Sequence, residues 1–318
     1  MFNRYWREYP VFLQLILLML LVYIMMSFSS VIIIALTGKL YGVTPQSILS
    51  MGPQSSSNLI NAGRFFQLVG NLLTFLATAL LFANFTHPKP FAYLGFHKPV
   101  NHNRFLMVAL LAIAYIPLAE QAGTWMRLLH LGQTADAAQH QQDENYKAFL
   151  HMNTPWGLTQ VLFIMALLPA VGEELFFRGI VMRYAYKGTR NMGLAIFISA
   201  ALFSFAHSTI YNFPSILAAG ILLGYIYYAT GSIWFSILFH FLNNGIQIVM
   251  EYLSQHKMLP AAMQDMKSYP AYVVLIALAI AAVAIWLLKK KSTPLPPNWG
   301  VDFDLPEVAG KEEEQQNV

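Results

Sequence analysis

Three short stretches carry the residues best suited to chemistry. Glu173-Glu174-Leu-Phe-Phe-Arg178 sets two adjacent carboxylates and a guanidinium in an apolar run, His207 follows Phe203 by four residues, and His240 precedes Asn244 by four. On a helix, side chains four apart share a face. Glu174 before Arg178 is the favourable order for a helical ion pair. Glu173 points roughly 100° further round the helix, away from any local cation, and is left free to act as a general base. His240 and Asn244, within Phe239-His240-Phe-Leu-Asn243-Asn244-Gly245, address one small object together, and both can donate hydrogen bonds to an oxyanion. Hydrolysis of an amide by water needs a proton acceptor, later a proton donor, and an oxyanion site. Ser204 and Ser208 flank His207 but project from other faces, and the chain has no cysteine. Serine or cysteine nucleophiles, disulfides, thiolate zinc sites and iron–sulfur clusters are therefore not favoured or are excluded.

Each group alone also has a structural reading: a buried ion pair, a packed histidine, or an interhelical hydrogen bond worth roughly 0.6 kcal/mol. Their surroundings argue for more. Of the 318 residues, 57% are hydrophobic and only 11% charged, less than half the quarter usual in soluble domains. Long apolar runs make this an all-α, polytopic membrane protein of about eight helices. The spans expected are 11–36, 65–85, 105–125, 156–183, 193–210, 213–230, 233–253 and 270–288. The first is too long for a signal core and lacks a cleavage pattern, so it reads as a retained anchor. A charged side chain near the bilayer centre costs about 3 kcal/mol and persists where it faces a protein interior or wet cavity. From the span ends, Glu173, His207 and His240 lie roughly 15, 20 and 10 Å from the same face, so one cavity can hold them.

Lysine and arginine placement orients the bundle. Arg4 and Arg7, then Lys89, Lys98 and Arg104, then Arg183, Lys187 and Arg190, then Lys289, Lys290 and Lys291 all fall on one side when the spans number eight. That side is the cytoplasm, with both termini in it. The net charge of +4 is thus a topology signal and not a nucleic-acid surface. The chain divides into a cytoplasmic N-terminus (1–10), an N-terminal membrane region (11–155) with a polar, partly helical outer loop (126–155), a core (156–253), a loop with the last span (254–291) and a tail (292–318). The tail's prolines and glutamates favour disorder. Gly220 and Gly224 form a small-xxx-small pair that lets the sixth span pack closely on a neighbour.

The three motifs in order, Glu173-Glu174-xxx-Arg178, Phe203-xxx-His207 and His240-xxx-Asn244, resemble those of the CPBP intramembrane endopeptidases, related to the type II CAAX prenyl protease and the abortive-infection and bacteriocin-processing proteins. The resemblance spans about 156–250. It implies a helical bundle enclosing an intramembrane catalytic cavity, and peptide-bond hydrolysis by an activated water. Carried over, Glu173 and His207 bind and activate the water, His240 and Asn244 stabilise the oxyanion, Glu174 and Arg178 orient Glu173, and Phe203 packs to position His207. Glu173, His207 and His240 could also form a zinc set. The metal-independent version is preferred because Glu173 is needed as base. The implied partners are a peptide or protein substrate and the lipid bilayer.

Two rival classes remain open. A proton-coupled transporter would use the same intramembrane ionisable groups, though no repeat relates the halves. A non-catalytic scaffold or immunity protein would bind without hydrolysing. The terminal Gln-Gln-Asn-Val carries neither a prenylation signal nor an organelle address, which favours a bacterial plasma membrane; prenylated tails suit the eukaryotic relatives, and a bacterial member would need another peptide, such as a leader or a signal fragment.

Overall fold

The computed structural model describes residues 9–96, 103–207, 209–260, 268–295 and 299. Among these there is helix and no strand. We number the principal helices α1 (Val11–Tyr41), α2 (Ser57–Thr86), α3 (Asn103–Arg127), α4 (Gln133–Phe149), α5 (Pro155–Thr189), α6 (Met192–Ala206), α7 (Phe213–Thr230), α8 (Ile233–Gln255) and α9 (Ala271–Lys290). All but α4 and α6 are long and apolar enough to cross a membrane, giving seven candidate spans among the described residues. The protein is a polytopic helix bundle.

Local sequence accounts for many of the ends. Gly42 and Gly231 take left-handed conformations that close α1 and α7. Thr154 caps α5 by accepting from the Gly157 amide, with Pro155 in the first turn, and Asn191 caps α6 by accepting from Leu194. The expected span at 193–210 is the shorter α6, which stops at Ala206 after 15 residues. That is about 22 Å of helix, less than the roughly 30 Å hydrocarbon core. It stops early because Asn212 and Pro214 begin α7 at once, and Ser204 Oγ donates to the Phe213 carbonyl across the turn.

Helix α5 is the most enclosed span and α1 the least. The π-helical stretch Asn71–Ala77 of α2 packs on α5, α6 lies along α7, and α3 packs on α8 and α9. A Cβ on Gly220 would stand 2.9 Å from Ala200, and one on Gly224 3.0 Å from Ile196, so the small pair seats α7 against α6. The loop between α3 and α5 contains α4, held by Arg127 to Asp143 at 2.8 Å and by Gln141 to the Met51 carbonyl at 3.1 Å. Arg64 reaches up from α2 to the Phe149 and His151 carbonyls at 3.0 and 2.6 Å.

The start of the tail departs from its expected disorder. Leu295 and Trp299 are buried, and the amides of Thr293 and Leu295 donate to the Ala229 and Tyr228 carbonyls at the end of α7. Two arginines that read as topology signals hold this strap. Arg104 donates to the Lys291 carbonyl and to Thr293 Oγ1. Arg183 donates to the Trp299 and Tyr93 carbonyls at 2.6 Å each, with its guanidinium 4.4 Å from the Trp299 ring centroid. An overall composition dominated by Pro and Glu hides the two apolar side chains that find sockets. The rest of the tail, with Arg4, Arg7, Lys98, Ser208 and Lys267, lies outside the described residues.

Candidate active site

Helix α5 turns through the bundle centre and presents its acidic pair to two different neighbours. Glu174 and Arg178 pair at 2.9 Å, one turn apart, with both side chains at 0% exposure. Arg178 also donates to the Gly220 carbonyl at 3.0 Å and lies 4.6 Å from the Phe203 ring centroid. Gly220, without a side chain, is what lets α7 offer that carbonyl so near α6.

Glu174 Oε1 accepts a second hydrogen bond, from His240 Nδ1 at 3.0 Å. The ion pair therefore orients His240, a contact that the resemblance did not imply. Adjacent residues on a helix diverge by roughly 100°, so Glu174 meets α8 while Glu173 faces the gap between α6 and α8. The Nδ1 of His207 lies 2.8 Å from the Phe203 carbonyl. A carbonyl only accepts, so this nitrogen carries the proton. Both rings are thus fixed through Nδ1, and both Nε2 atoms are turned toward one carboxylate oxygen. Glu173 Oε2 is 3.9 Å from His240 Nε2 and 4.0 Å from His207 Nε2. That oxygen is buried and has no hydrogen-bond partner within the protein.

Phe203 holds the frame. Its ring centroid lies 4.6 Å from that of His207 and 5.8 Å from that of His240, so it packs both histidines as well as Arg178. Asn244 stands one turn beyond His240 on α8 and directs Nδ2 toward the Met165 carbonyl of α5 at 3.5 Å, not toward the carboxylate. Glu173, His207 and His240 are brought together, and Asn244 approaches from the same helix as His240. The carbonyls of Met165 and Gly220 were not anticipated from sequence. Pro169 signals the first, because proline removes the N–H that a helix offers to the carbonyl four residues back. The Gly220-xxx-Gly224 pair signals the second.

The separations suit a hydrogen-bonded water. Two bonds of about 2.8 Å from one water to atoms some 4 Å apart subtend about 90°, an acceptable angle. A tetrahedral zinc with bonds near 2.1 Å would require donor atoms only about 3.4 Å apart. The carboxylate–imidazole separations exceed this, and among the described residues no group of three His, Asp or Glu side chains is arranged to hold a metal. These residues as placed do not fit the zinc set considered from sequence.

A bundle of apolar helices with such a group in its interior defines a multi-pass membrane protein with a hydrolase-like centre. Residues 155–246 match the family described as Rce1-like, type II CAAX prenyl endopeptidase, which is the family the three motifs resemble. The matched segment runs from the start of α5 to just past Asn244 and contains every residue of the site. No curated protein and no solved structure matches the chain.

Proposed function

We propose that the protein is an intramembrane endopeptidase that uses a water activated by Glu173 and His207, without a metal. The observation that carries this reading is the convergence of two oriented imidazoles on the unpartnered oxygen of Glu173. A water there faces three acceptors if both imidazoles are neutral, yet has only two hydrogens to donate. One further proton in the group resolves this. It also offsets the excess negative charge of two carboxylates facing one guanidinium. With that proton on His240, whose Nδ1–H is engaged by Glu174, Nε2–H becomes a donor. Glu173 takes the proton from water as the oxygen attacks the peptide carbonyl, His207 Nε2 holds the water's second hydrogen, and His240 and Asn244 donate to the oxyanion. Glu173 then returns its proton to the leaving amine.

The substrate is a peptide or membrane-associated protein segment, and the setting a bacterial plasma membrane; both chain termini lie in the cytoplasm provided that the short α6 crosses as well as the seven longer helices, with the bilayer thinned around it. The test is a peptide-release screen on membranes containing either the wild type or Glu173→Gln. Peptides released only by the wild type identify the substrate, and identical release profiles would refute the enzyme reading. Metal analysis and a chelator series on the purified protein test the metal-independent step, which loss of activity with loss of bound zinc would overturn.

A further inference from the structure

The site needs Asn244 to offer an N–H to the oxyanion, and an amide side chain has two nearly isosteric orientations that offer opposite chemistry. We infer that Asn243 is a positioning residue that fixes which end of the Asn244 amide faces the reacting carbonyl. The inference rests on the endopeptidase reading and adds a residue outside the motifs. Asn243 Nδ2 donates to Asn244 Oδ1 at 3.4 Å, and Asn244 Nδ2 in turn donates to the Met165 carbonyl at 3.5 Å. A donor on one end and an acceptor on the other define a single orientation. The Met165 carbonyl is available because Pro169, four residues on, has no N–H to give it, and Met165 lies in the π-helical stretch Phe163–Leu167. With one Asn244 N–H engaged there, the second remains for the oxyanion.

The local chemistry at Asn243 argues against a packing role. Its Oδ1 is buried without a hydrogen-bond partner, an unfavourable placement that an apolar side chain of similar volume would avoid. Its backbone carbonyl is taken by Gln247 Nε2 at 2.8 Å, so this turn of α8 is braced independently of the side chain. Asparagine at 243 therefore weakens the local packing and gains its use through Asn244.

The test compares wild type, Asn243→Leu, Asn244→Ala and the double variant in detergent, using a peptide released by the wild type but not by Glu173→Gln as probe, with thermal unfolding in parallel. Asn243→Leu should unfold at or above the wild-type temperature, while kcat falls about ten- to a hundredfold and KM changes little. In the Asn244→Ala background the same substitution should have no further effect on kcat. Wild-type kcat in Asn243→Leu, or multiplicative losses in the double variant, would overturn the inference while leaving the endopeptidase reading intact. Full turnover by Asn244→Ala would remove the oxyanion role and this inference with it. Should Asn243→Leu unfold, Asn243→Asp keeps the shape but sets acceptor against acceptor, and wild-type kcat there would likewise overturn it.

Discussion

Replacing Arg178 by Met separates the ion pair's contribution to folding from its contribution to chemistry. The guanidinium is wholly enclosed, 2.9 Å from an equally enclosed Glu174, and also satisfies the Gly220 carbonyl. Removing one partner of a buried pair leaves an uncompensated charge and costs about 3–5 kcal/mol. At a few degrees per kcal/mol, Arg178→Met should lower the unfolding temperature in detergent by on the order of 10 °C. Glu174→Leu added to it removes the stranded carboxylate, and apolar replacement of a whole buried pair is often neutral. Most of the lost stability should return. Turnover should not, because His240 Nδ1 has lost the acceptor that directs its ring. A loss of about ten- to a hundredfold is expected, as for other histidines deprived of the partner on the far nitrogen. Glu174→Gln with Arg178→Met keeps a neutral acceptor and should be more active than the Leu/Met double. Unfolding of Arg178→Met at the wild-type temperature, or wild-type kcat in the Leu/Met double, would refute the reasoning.

His207→Ala should abolish hydrolysis with the unfolding temperature little changed, since the ring is only partly buried. Asn244→Ala should lower kcat by about 10²–10³ through loss of one oxyanion donor, read from initial rates. Trp299→Ala should destabilise by about 3–5 kcal/mol, because a large side chain at 2% exposure leaves a cavity over Arg183, and melting in detergent measures it. On α4, burial raises the Asp143 carboxyl, but hydrogen bonds from Arg127 and Gln139 and the charges of Arg127 and Lys147 outweigh it and hold it below the usual range. A depressed folded value means this stabilisation is present above about pH 4 and lost as pH falls through the folded value. With both partners partly exposed it amounts to at most about 1 kcal/mol. Asp143→Asn should remove that portion of the acid dependence of unfolding, and an unchanged pH profile would contradict it.

The helical class and the members of the site were legible because ionisable side chains are rare in apolar sequence. Glu173, His207 and His240 stood out against residues that lipid tolerates, and the four-residue spacings gave their faces. The partner of Glu174 was not legible. Spacing along one helix reveals Arg178, whereas the bond to His240 depends on how α8 crosses α5, which no local pattern encodes. Arg104 and Arg183 were legible as cations near span ends but not as buried clamps, since the carbonyls they satisfy belong to a segment lying far off in sequence. The strap itself escaped for a related reason. Two apolar side chains among prolines and glutamates weigh little in a composition, yet each fills a specific socket.

The irregular turns of α5 carry further long-range contacts of this kind. The turn bearing Glu173, Leu168–Phe176, lies between the π-helical stretches Phe163–Leu167 and Phe177–Val181. The first stretch is followed by Pro169, which leaves the Met165 carbonyl without its usual donor, and the Phe177 carbonyl that opens the second accepts from the Met182 amide with a lone pair to spare. The Met165 carbonyl is taken by Asn244 of α8, and that of Phe177 by Ser199 of α6 at 2.9 Å. From the third side Gly172 admits the π-helical stretch of α2, where a Cβ would stand 3.3 Å from the Leu76 amide. Helix α5 is therefore tied, just before and just after its reactive turn, to the two helices that supply the histidines. These ties add to the Glu174–His240 and Arg178–Gly220 bonds, which already join α5 to α8 and α7. Together these polar contacts, more directional than apolar contact between helices in lipid, help hold both imidazoles within 4.0 Å of the carboxylate.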